Sequence, residues 1–308
     1  MKRQRAPAAQ TQRMTGAAVW WRSLRAYSFT ATIIPVVCAA LAAWRVGGHA
    51  VSFPVCALML AAALLLHAGV NALNDYYDFI LGFDTAAAAG SSGVLAAGLV
   101  APGRLWRWGM SYLAAAAAAG AWLAWLRGPW ILALGACGWL GAAFYSHRRG
   151  YKYRGWGEPA VFALMGPILF CAAYLAAGRR LELCALWLSL PFACLVTAIM
   201  LVNNLRDLEM DRAAGFRTLP ARIGPRAAKG LYGALLAAPP VLTALHALSG
   251  HTPRLTLVAL AAALPAALLI HRVSRASPPY DSLAAAPQHT AALHLLFGLL
   301  TACGWAFG

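Results

Sequence analysis

The sequence predicts an all-α polytopic membrane protein, and three observations support that fold class. Hydrophobic residues make up 61% of the 308-residue chain and charged residues only 11%, whereas soluble proteins carry about a quarter charged residues. The apolar residues fall into uncharged runs close to the length of about 20 residues that an α-helix needs to cross a bilayer. Lysine and arginine are concentrated between alternate runs, which is typical of membrane topology.

Nine uncharged runs qualify, or nearly qualify, as membrane spans. Residues 1–25 are basic and polar, and the apolar run after them is too long for a signal-peptide core, so we expect an uncleaved first span. The predicted organisation is a cytoplasmic basic N-terminal segment, residues 1–25, and a single nine-helix transmembrane domain, residues 26–308. The runs are 26–44, 46–74, 108–126, 128–147, 159–178, 183–205, 230–253, 255–271 and 282–308.

A tenth uncharged run, 85–103, is interpreted as a loop or interfacial segment because its glycines and proline punctuate loops. With nine spans and a cytoplasmic N-terminus, the predicted inside segments hold twenty Lys and Arg residues and the outside loops five. This asymmetry follows the positive-inside rule. Topology therefore accounts for the net charge of +16, and no nucleic-acid partner is expected.

The first acidic cluster follows the second run, 46–74. Asp75, Asp78 and Asp84 occur within ten residues, in a chain that has only nine acidic residues. Acidic side chains at the end of a membrane helix usually bind something, because burying them is costly. If the helix continues, Asn71, Asp75 and Asp78 are spaced i, i+4 and i+7 on one face. These oxygen donors suit Mg²⁺.

A second cluster, Asn203, Asp207 and Asp211, ends the run 183–205 and repeats the Asn-x-x-x-Asp step of the first. The two clusters end the second and sixth spans, which run in the same direction when 85–103 is a loop. The shared direction of these two spans favours a parallel internal repeat. It also places both clusters on the cytoplasmic side, where they can share one substrate.

Basic residues accompany both clusters. Lys152 lies in a turn rich in Gly and Tyr, Arg206 lies within the second acidic motif, and Arg222 follows it. Carboxylates and cations on one face of a membrane indicate a metal-bridged polyanion, for which a diphosphate is the natural candidate.

At this point the sequence resembles the UbiA superfamily of intramembrane aromatic prenyltransferases, and most closely its menaquinone-pathway branch, which acts on 1,4-dihydroxy-2-naphthoate. The resemblance spans nearly the whole chain from Arg25, although the family's early Arg-Pro pair is Arg25-Ala26 here. The matching stretches are Asn71-x-x-Asn74-Asp75-Tyr76-x-Asp78-x-x-x-Gly82-x-Asp84; Lys152 to Glu158 followed by Gly166-Pro167; Asn203-Asn204-x-Arg206-Asp207-x-x-x-Asp211 continuing to Gly224; and Thr290 to Gly298.

The resemblance implies a nine-helix bundle in a bacterial-type plasma (inner) membrane, with the N-terminus and the active site on the cytoplasmic side. It implies two Mg²⁺ ions that hold a polyprenyl diphosphate, and an aromatic acceptor that is prenylated with loss of CO₂ to give a demethylmenaquinone. The implied roles are metal binding by Asp75, Asp78, Asp84, Asp207 and Asp211; completion of the coordination or orientation of the acids by Asn71, Asn74 and Asn203; and neutralisation of the diphosphate by Arg206, Lys152 and Arg222.

Three alternatives stay open at this level. A different acceptor, such as 4-hydroxybenzoate, would use the same chemistry. A transporter of an anionic substrate also uses Asp and Arg within the membrane, although here the acidic clusters lie at span ends under basic loops. A CDP-alcohol phosphotransferase would also pair Mg²⁺ with Asp motifs, but its Asp-Gly-x-x-Ala-Arg signature is absent from the sequence.

Overall fold

A computed structural model describes residues 15–82, 91–147 and 150–308. Within these ranges the regular structure is helical, which confirms the predicted fold class. The α-helices are α1 (Gly16–Leu24), α2 (Thr30–Arg45), α3 (Phe53–Ile80), α4 (Pro102–Arg127), α5 (Pro129–Tyr145), α6 (Gly157–Ala163), α7 (Leu169–Gly178), α8 (Leu183–Arg206), α9 (Leu208–Ala213), α10 (Leu219–Ile223), α11 (Pro225–Leu248), α12 (Ala263–Arg275) and α13 (Ala286–Phe307).

Eight helical segments of the described chain are long and apolar enough to cross a membrane. The shorter apolar helix α5 has 17 residues, and counting it gives the nine predicted spans in their predicted order. Pro129 at the start of α5 and Gly128 before it, with φ of 95°, allow the chain to turn sharply out of α4. The eight segments are Gly16–Arg45, Phe53–Ile80, Pro102–Arg127, Gly157–Gly178, Leu183–Arg206, Pro225–Leu248, Arg254–Arg275 and Asp281–Phe307.

The first span begins earlier than the sequence predicted. Residues 16–24, which were expected to belong to the polar N-terminal segment, form α1, and Thr15 caps this helix by accepting a hydrogen bond from the Ala18 N–H. Arg25 then adopts a left-handed conformation, with φ of 52°, and separates α1 from the rest of the span. The remainder of the expected N-terminal segment, residues 1–14, lies outside the described residues.

Helix α8 lies at the centre of the bundle and carries the second acidic motif at its end. Phe192 of α8 stacks on Phe170 at 5.6 Å between ring centroids and meets the edge of Phe297 at 5.8 Å. Gly166 brings the preceding span close to α8, because a Cβ atom at this position would lie only 2.2 Å from the Cβ of Ala193. A π-helical segment, Leu164–Ile168, includes Pro167, which has no N–H to donate.

Residues 91–101 form turns and bends that cover the end of α3, in agreement with the interpretation of 85–103 as a loop over that part. Pro102 and Gly103, in contrast, begin α4. Val94 and Leu95 are buried in a small core with Val19 of α1 and Leu105 of α4. Arg22 Nε of α1 donates to the Ser92 carbonyl at 2.7 Å. The loop and α1 therefore pack together beside the first acidic motif.

Candidate active site

The polar ends of α3 and α8 open into one cavity of about 1050 Å³. Helix α3 continues without a break to Ile80, so Asn71, Asn74 and Asp78 lie on one side of it and all line the cavity. The second motif lines the same cavity through Asn203, Asn204, Arg206, Asp207 and Asp211. The structure therefore brings the two predicted motifs together.

Lys152 is positioned against the first motif by a short 3₁₀ helix, Tyr151–Arg154. Its Nζ lies 2.6 Å from Asn74 Oδ1 and 2.8 Å from Asp78 Oδ2. Tyr153 of the same turn donates its hydroxyl to Asp78 Oδ1 at 2.8 Å, and burial together with the Asp78 charge raises the pKa of Tyr153. The carboxylate of Asp78 is thus held by a cation and a phenol, and it also accepts from Asn74 Nδ2 at 2.9 Å.

The second motif spans a helix break. Helix α8 ends at Arg206, and Asp207 lies between α8 and α9. Arg206 pairs with the adjacent Asp207 through two short hydrogen bonds, from Nε to Oδ1 at 2.7 Å and from Nη2 to Oδ2 at 2.6 Å. This two-point contact fixes the carboxylate at the edge of the cavity.

Asp211 of α9 lies close enough to the other acids for their charges to affect its pKa. Burial raises its pKa to about 7, and the negative charge of Asp207 adds to that shift, while Lys152 opposes it and Asp78 makes a small further contribution. Thr218 donates to Asp211 Oδ2 at 3.3 Å. Charged residues of both motifs therefore contribute to the pKa of Asp211.

Asp75 differs from the expectation that it faces a metal ion. It is fully buried, and it is absent from the side chains that line the cavity. Its Oδ1 accepts from Arg25 Nη1 at 3.3 Å and its Oδ2 accepts from the Ser92 backbone N–H at 3.1 Å. In this arrangement Asp75 connects the first span and the 91–101 loop to α3.

Two other expected site residues also have different partners. Among the described residues Asn71 makes no hydrogen bond to the acids; its Nδ2 donates to the Leu24 carbonyl and to Ser28 Oγ. Arg222 lies outside the cavity lining, where its Nη1 donates to the Arg154 carbonyl and its guanidinium lies over the Trp156 ring. Asp84, expected as a metal ligand, lies outside the described residues.

Three contacts were not predicted from the sequence. Arg25 pairs with Asp75, Tyr153 binds Asp78, and the buried Glu158 accepts from Asn204 Nδ2 at 2.9 Å. All three join residues that are far apart in the chain, so helical periodicity carries no signal for the pairing. Two signals were available, since Arg25 stands at the family's early Arg-Pro position and Glu158 ends the matching Lys152 turn.

The donor set around the cavity fits a hard divalent cation. Asp78, Asp207 and Asp211 offer carboxylate oxygens, and Asn74 and Asn203 offer amide oxygens, which are ligands that Mg²⁺ prefers. Among the described residues no group of three or more His, Cys, Asp or Glu forms a metal cluster. A set this sparse suits Mg²⁺, which commonly takes one or two carboxylates together with substrate phosphates and water.

Much of the remaining cavity wall is apolar, and the cavity is deep. Small residues of α4 and α5 line it, including Ala117, Gly120 and Gly135. It reaches Met59 on α3, and this residue lies about 28 Å from Asp78 along the helix axis at 1.5 Å per residue. The cavity therefore joins a charged mouth to an apolar channel inside the bundle.

Comparison with known proteins places the chain in a family. Residues 32–296 match the UbiA prenyltransferase family. The chain is 34% identical over 232 residues to a 1,4-dihydroxy-2-naphthoate octaprenyltransferase of Mycobacterium tuberculosis, covering 75% of this chain and 78% of that one. It is 32% identical over 290 residues to the human UbiA prenyltransferase domain-containing protein 1, covering 92% and 81%.

Solved structures agree on the fold. A UbiA homolog from Archaeoglobus fulgidus bound to GPP and Mg²⁺ has a TM-score of 0.65 at 17% identity, over 92% of this chain and 99% of that one. A UbiA homolog from Aeropyrum pernix K1 has a TM-score of 0.68 at 20% identity, over 87% and 96%. The chain belongs to the UbiA prenyltransferase family and is a multi-pass membrane prenyltransferase.

Proposed function

We propose that the protein transfers a polyprenyl group from polyprenyl diphosphate to 1,4-dihydroxy-2-naphthoate, with loss of CO₂, and forms a demethylmenaquinol, the reduced form of a demethylmenaquinone. The observation that carries this proposal is the cavity with a charged mouth and an apolar interior, which matches a substrate with a diphosphate head and a long hydrocarbon tail. The acceptor is supported by the relatives named 1,4-dihydroxy-2-naphthoate octaprenyltransferase. Residues 26–308 form the catalytic domain, with its site and the N-terminus on the cytoplasmic side of a bacterial-type plasma membrane.

The residues at the charged mouth of the cavity have two roles in binding the diphosphate: some would hold Mg²⁺ and others would bind phosphate oxygens. Asp78 and Asn74 of the first motif, and Asp207, Asp211 and Asn203 of the second, would hold Mg²⁺, which supplies positive charge to the phosphates. Lys152 and Arg206 contact these acids through short bonds, so they are placed to donate to the phosphate oxygens when the carboxylates turn to the metal. Asp75 acts indirectly, because its carboxylate binds Arg25 and the 91–101 loop instead of the diphosphate site.

The apolar interior protects the reaction. When the C–O bond to the diphosphate breaks, the diphosphate leaves with the bonding electrons and an allylic cation remains on the prenyl chain. Ala117, Gly120 and Gly135 carry no nucleophile, so exclusion of water by this wall preserves the cation until the ring attacks. The ring carbon that bears the carboxylate forms the new C–C bond and then releases CO₂.

The test is prenyl transfer with defined substrates. Membranes that contain the protein are incubated with Mg²⁺, a polyprenyl diphosphate and either 1,4-dihydroxy-2-naphthoate or 4-hydroxybenzoate, and the lipid product is identified by mass. The expected product is the decarboxylated prenyl naphthoquinol. Product from 4-hydroxybenzoate alone would change the acceptor but keep prenyl transfer, and flux of the substrates across proteoliposomes without any product would favour a transporter instead.

A further inference from the structure

A second and much smaller cavity lies at the end of the bundle opposite the acidic motifs. It has a volume of about 10 Å³ and lies among the last four spans. Leu188 of α8 lines it, about 27 Å along the helix axis from Arg206. We call it the threonine cavity, after the polar residues that line it: Thr243, His246, Thr252, Thr256, Thr301 and Trp305.

Four buried polar atoms of this lining have no hydrogen-bond partner among the described residues. They are the hydroxyl oxygens of Thr252, Thr256 and Thr301 and the indole Nε1 of Trp305. Each of the four residues is at most 6% exposed, and a buried polar group without a partner costs free energy. Buried polar groups in proteins are mostly paired with protein or with ordered water, so four at one cavity indicate a ligand.

Packing restricts how far these groups can shift. The indole ring of Trp305 meets the Phe192 ring in a T-shaped contact, at 6.4 Å between centroids. A Cβ atom on Gly304 would lie 2.6 Å from the Cα of Thr256, so the backbone of α13 is in direct contact with the 3₁₀ helix Arg254–Ala262 that contains Thr256. The polar groups are therefore held around the cavity by tightly packed elements.

The chemistry of the lining selects a small, neutral ligand. Trp305 Nε1 can only donate a hydrogen bond, so the ligand must offer an acceptor, which disfavours a metal cation. Within the described chain no Lys, Arg, Asp or Glu lines the cavity, so a buried ion would lack a fixed counter-charge. Threonine hydroxyls both donate and accept. The volume is close to the minimum that one water molecule requires.

We infer that the threonine cavity binds one water molecule, which accepts a hydrogen bond from Trp305 Nε1 and exchanges hydrogen bonds with the hydroxyls of Thr252, Thr256 and Thr301. A buried water makes about three such bonds on average and at most about four. Two accepted and two donated bonds would satisfy all four groups. The water joins α13 to the preceding span and to the turn before that span, so its role is structural and independent of prenyl transfer.

Isosteric substitutions test the water by the sign of their effect on stability. Thr301→Val and Thr256→Val keep the side-chain shape but remove one partner of the water. Each should lower the melting temperature of the purified full-length protein by about 3 °C or more, because the water and the remaining groups lose a hydrogen bond. In a cavity without water, the same changes would remove an unpaired hydroxyl and would leave the melting temperature unchanged or raise it.

Thr197→Val is the matched control. Thr197 of α8 is also buried and its hydroxyl has no partner among the described residues, but this residue lines neither the threonine cavity nor the active-site cavity. Replacing it with valine should therefore leave the melting temperature unchanged or raise it. A loss equal to that of Thr301→Val and Thr256→Val would show that the effect does not come from a water in the cavity.

An experimental map of the wild-type protein that resolves ordered water supplies a second, direct measurement. It should show a peak about 2.7–3.2 Å from Trp305 Nε1 and in hydrogen-bond range of at least two of the three threonine hydroxyls. No peak at that position, or valine variants as stable as wild type, would overturn the inference. Replacing chloride with gluconate should not change the melting temperature; a fall in wild type that Trp305→Phe does not show would assign the site to an anion instead.

Discussion

Asp75 and Asp78 stand three residues apart on α3, yet their carboxylates have different surroundings. Asp78 faces the cavity with Lys152, whereas Asp75 is buried against Arg25 and Ser92. The sequence predicted the helical stripe that carries both acids and named Lys152 as a partner. It could not predict which edge of the stripe faces the cavity, because that depends on Arg25 and on the 91–101 loop, whose contacts are long-range.

Replacing Asp75 tests its structural assignment. In Asp75→Asn the partly buried Arg25 loses its counter-ion, and removing one partner of a buried pair costs at most about 3–5 kcal/mol. We therefore expect a lower melting temperature in detergent and partial recovery in Asp75→Asn/Arg25→Leu, while the exposed acid variant Asp281→Asn should be neutral. An unchanged melting temperature with a much higher Mg²⁺ requirement would instead make Asp75 a metal ligand, as the sequence analysis expected.

Asp211 predicts a pH dependence of metal binding. Burial and Asp207 raise its pKa to about 7, so the folded protein without metal keeps this carboxyl protonated below that pH and loses the corresponding stability as the pH rises through it. Mg²⁺ requires the carboxylate. The half-saturating Mg²⁺ concentration for turnover should rise up to about tenfold for each pH unit below 7, and Asp211→Asn should remove this slope. A dependence that is equally steep in the variant would assign it to another group.

At the scale of helices, uncharged runs predicted the spans well because the bilayer requires long apolar helices in any sequence context. The exact ends of the spans, where polar residues begin, were harder to predict. Helix α8 stops at Arg206, and Asp207 separates it from α9, although the spacing of Asn203, Asp207 and Asp211 suited a continuous helix. Residues 16–24, expected to belong to a basic cytoplasmic segment, form α1, since packing against the 91–101 loop stabilises them.

Gly166 tests how closely the fifth span must approach α8. In Gly166→Ala the new Cβ would lie 2.2 Å from the Cβ and 2.9 Å from the Cα of Ala193, so the backbone must move. We expect a loss of about 1–3 kcal/mol, as for overpacking, measured as a lower melting temperature together with reduced prenyl transfer. Gly230→Ala is the matched control, because that helical glycine of α11 faces open space. Equal behaviour of the two variants would refute the tight contact.

At the scale of the whole molecule, both acidic motifs lie at one end of parallel helices and share one cavity. The repeated Asn-x-x-x-Asp step and the interpretation of 85–103 as a loop were enough to predict this meeting. The contacts of Ser28 and Thr32 with His67 and Asn71 were not predicted, because they join the first span to the middle of α3 and follow no repeated spacing.

Topology follows from this arrangement and is measured by labelling single cysteines in a cysteine-free background. Ala97→Cys and Arg212→Cys lie in exposed positions near the first and second motifs, and Arg180→Cys lies in the turn before α8, at its opposite end. A membrane-impermeant thiol reagent should label the first two from the cytoplasmic side and the third from the outside. Labelling of residues 97 and 212 from opposite sides would exclude a shared site.

The most direct measurement of the central claim is the prenyl transfer rate of Asp78→Asn, Asp207→Asn and the double variant. If the two motifs act on one diphosphate as a unit, each single change should lower kcat/KM by at least about 100-fold, and the double variant should lose much less than the product of the two single effects. Near-normal turnover in either single variant, or in excess chelator, would contradict a site built jointly from both motifs.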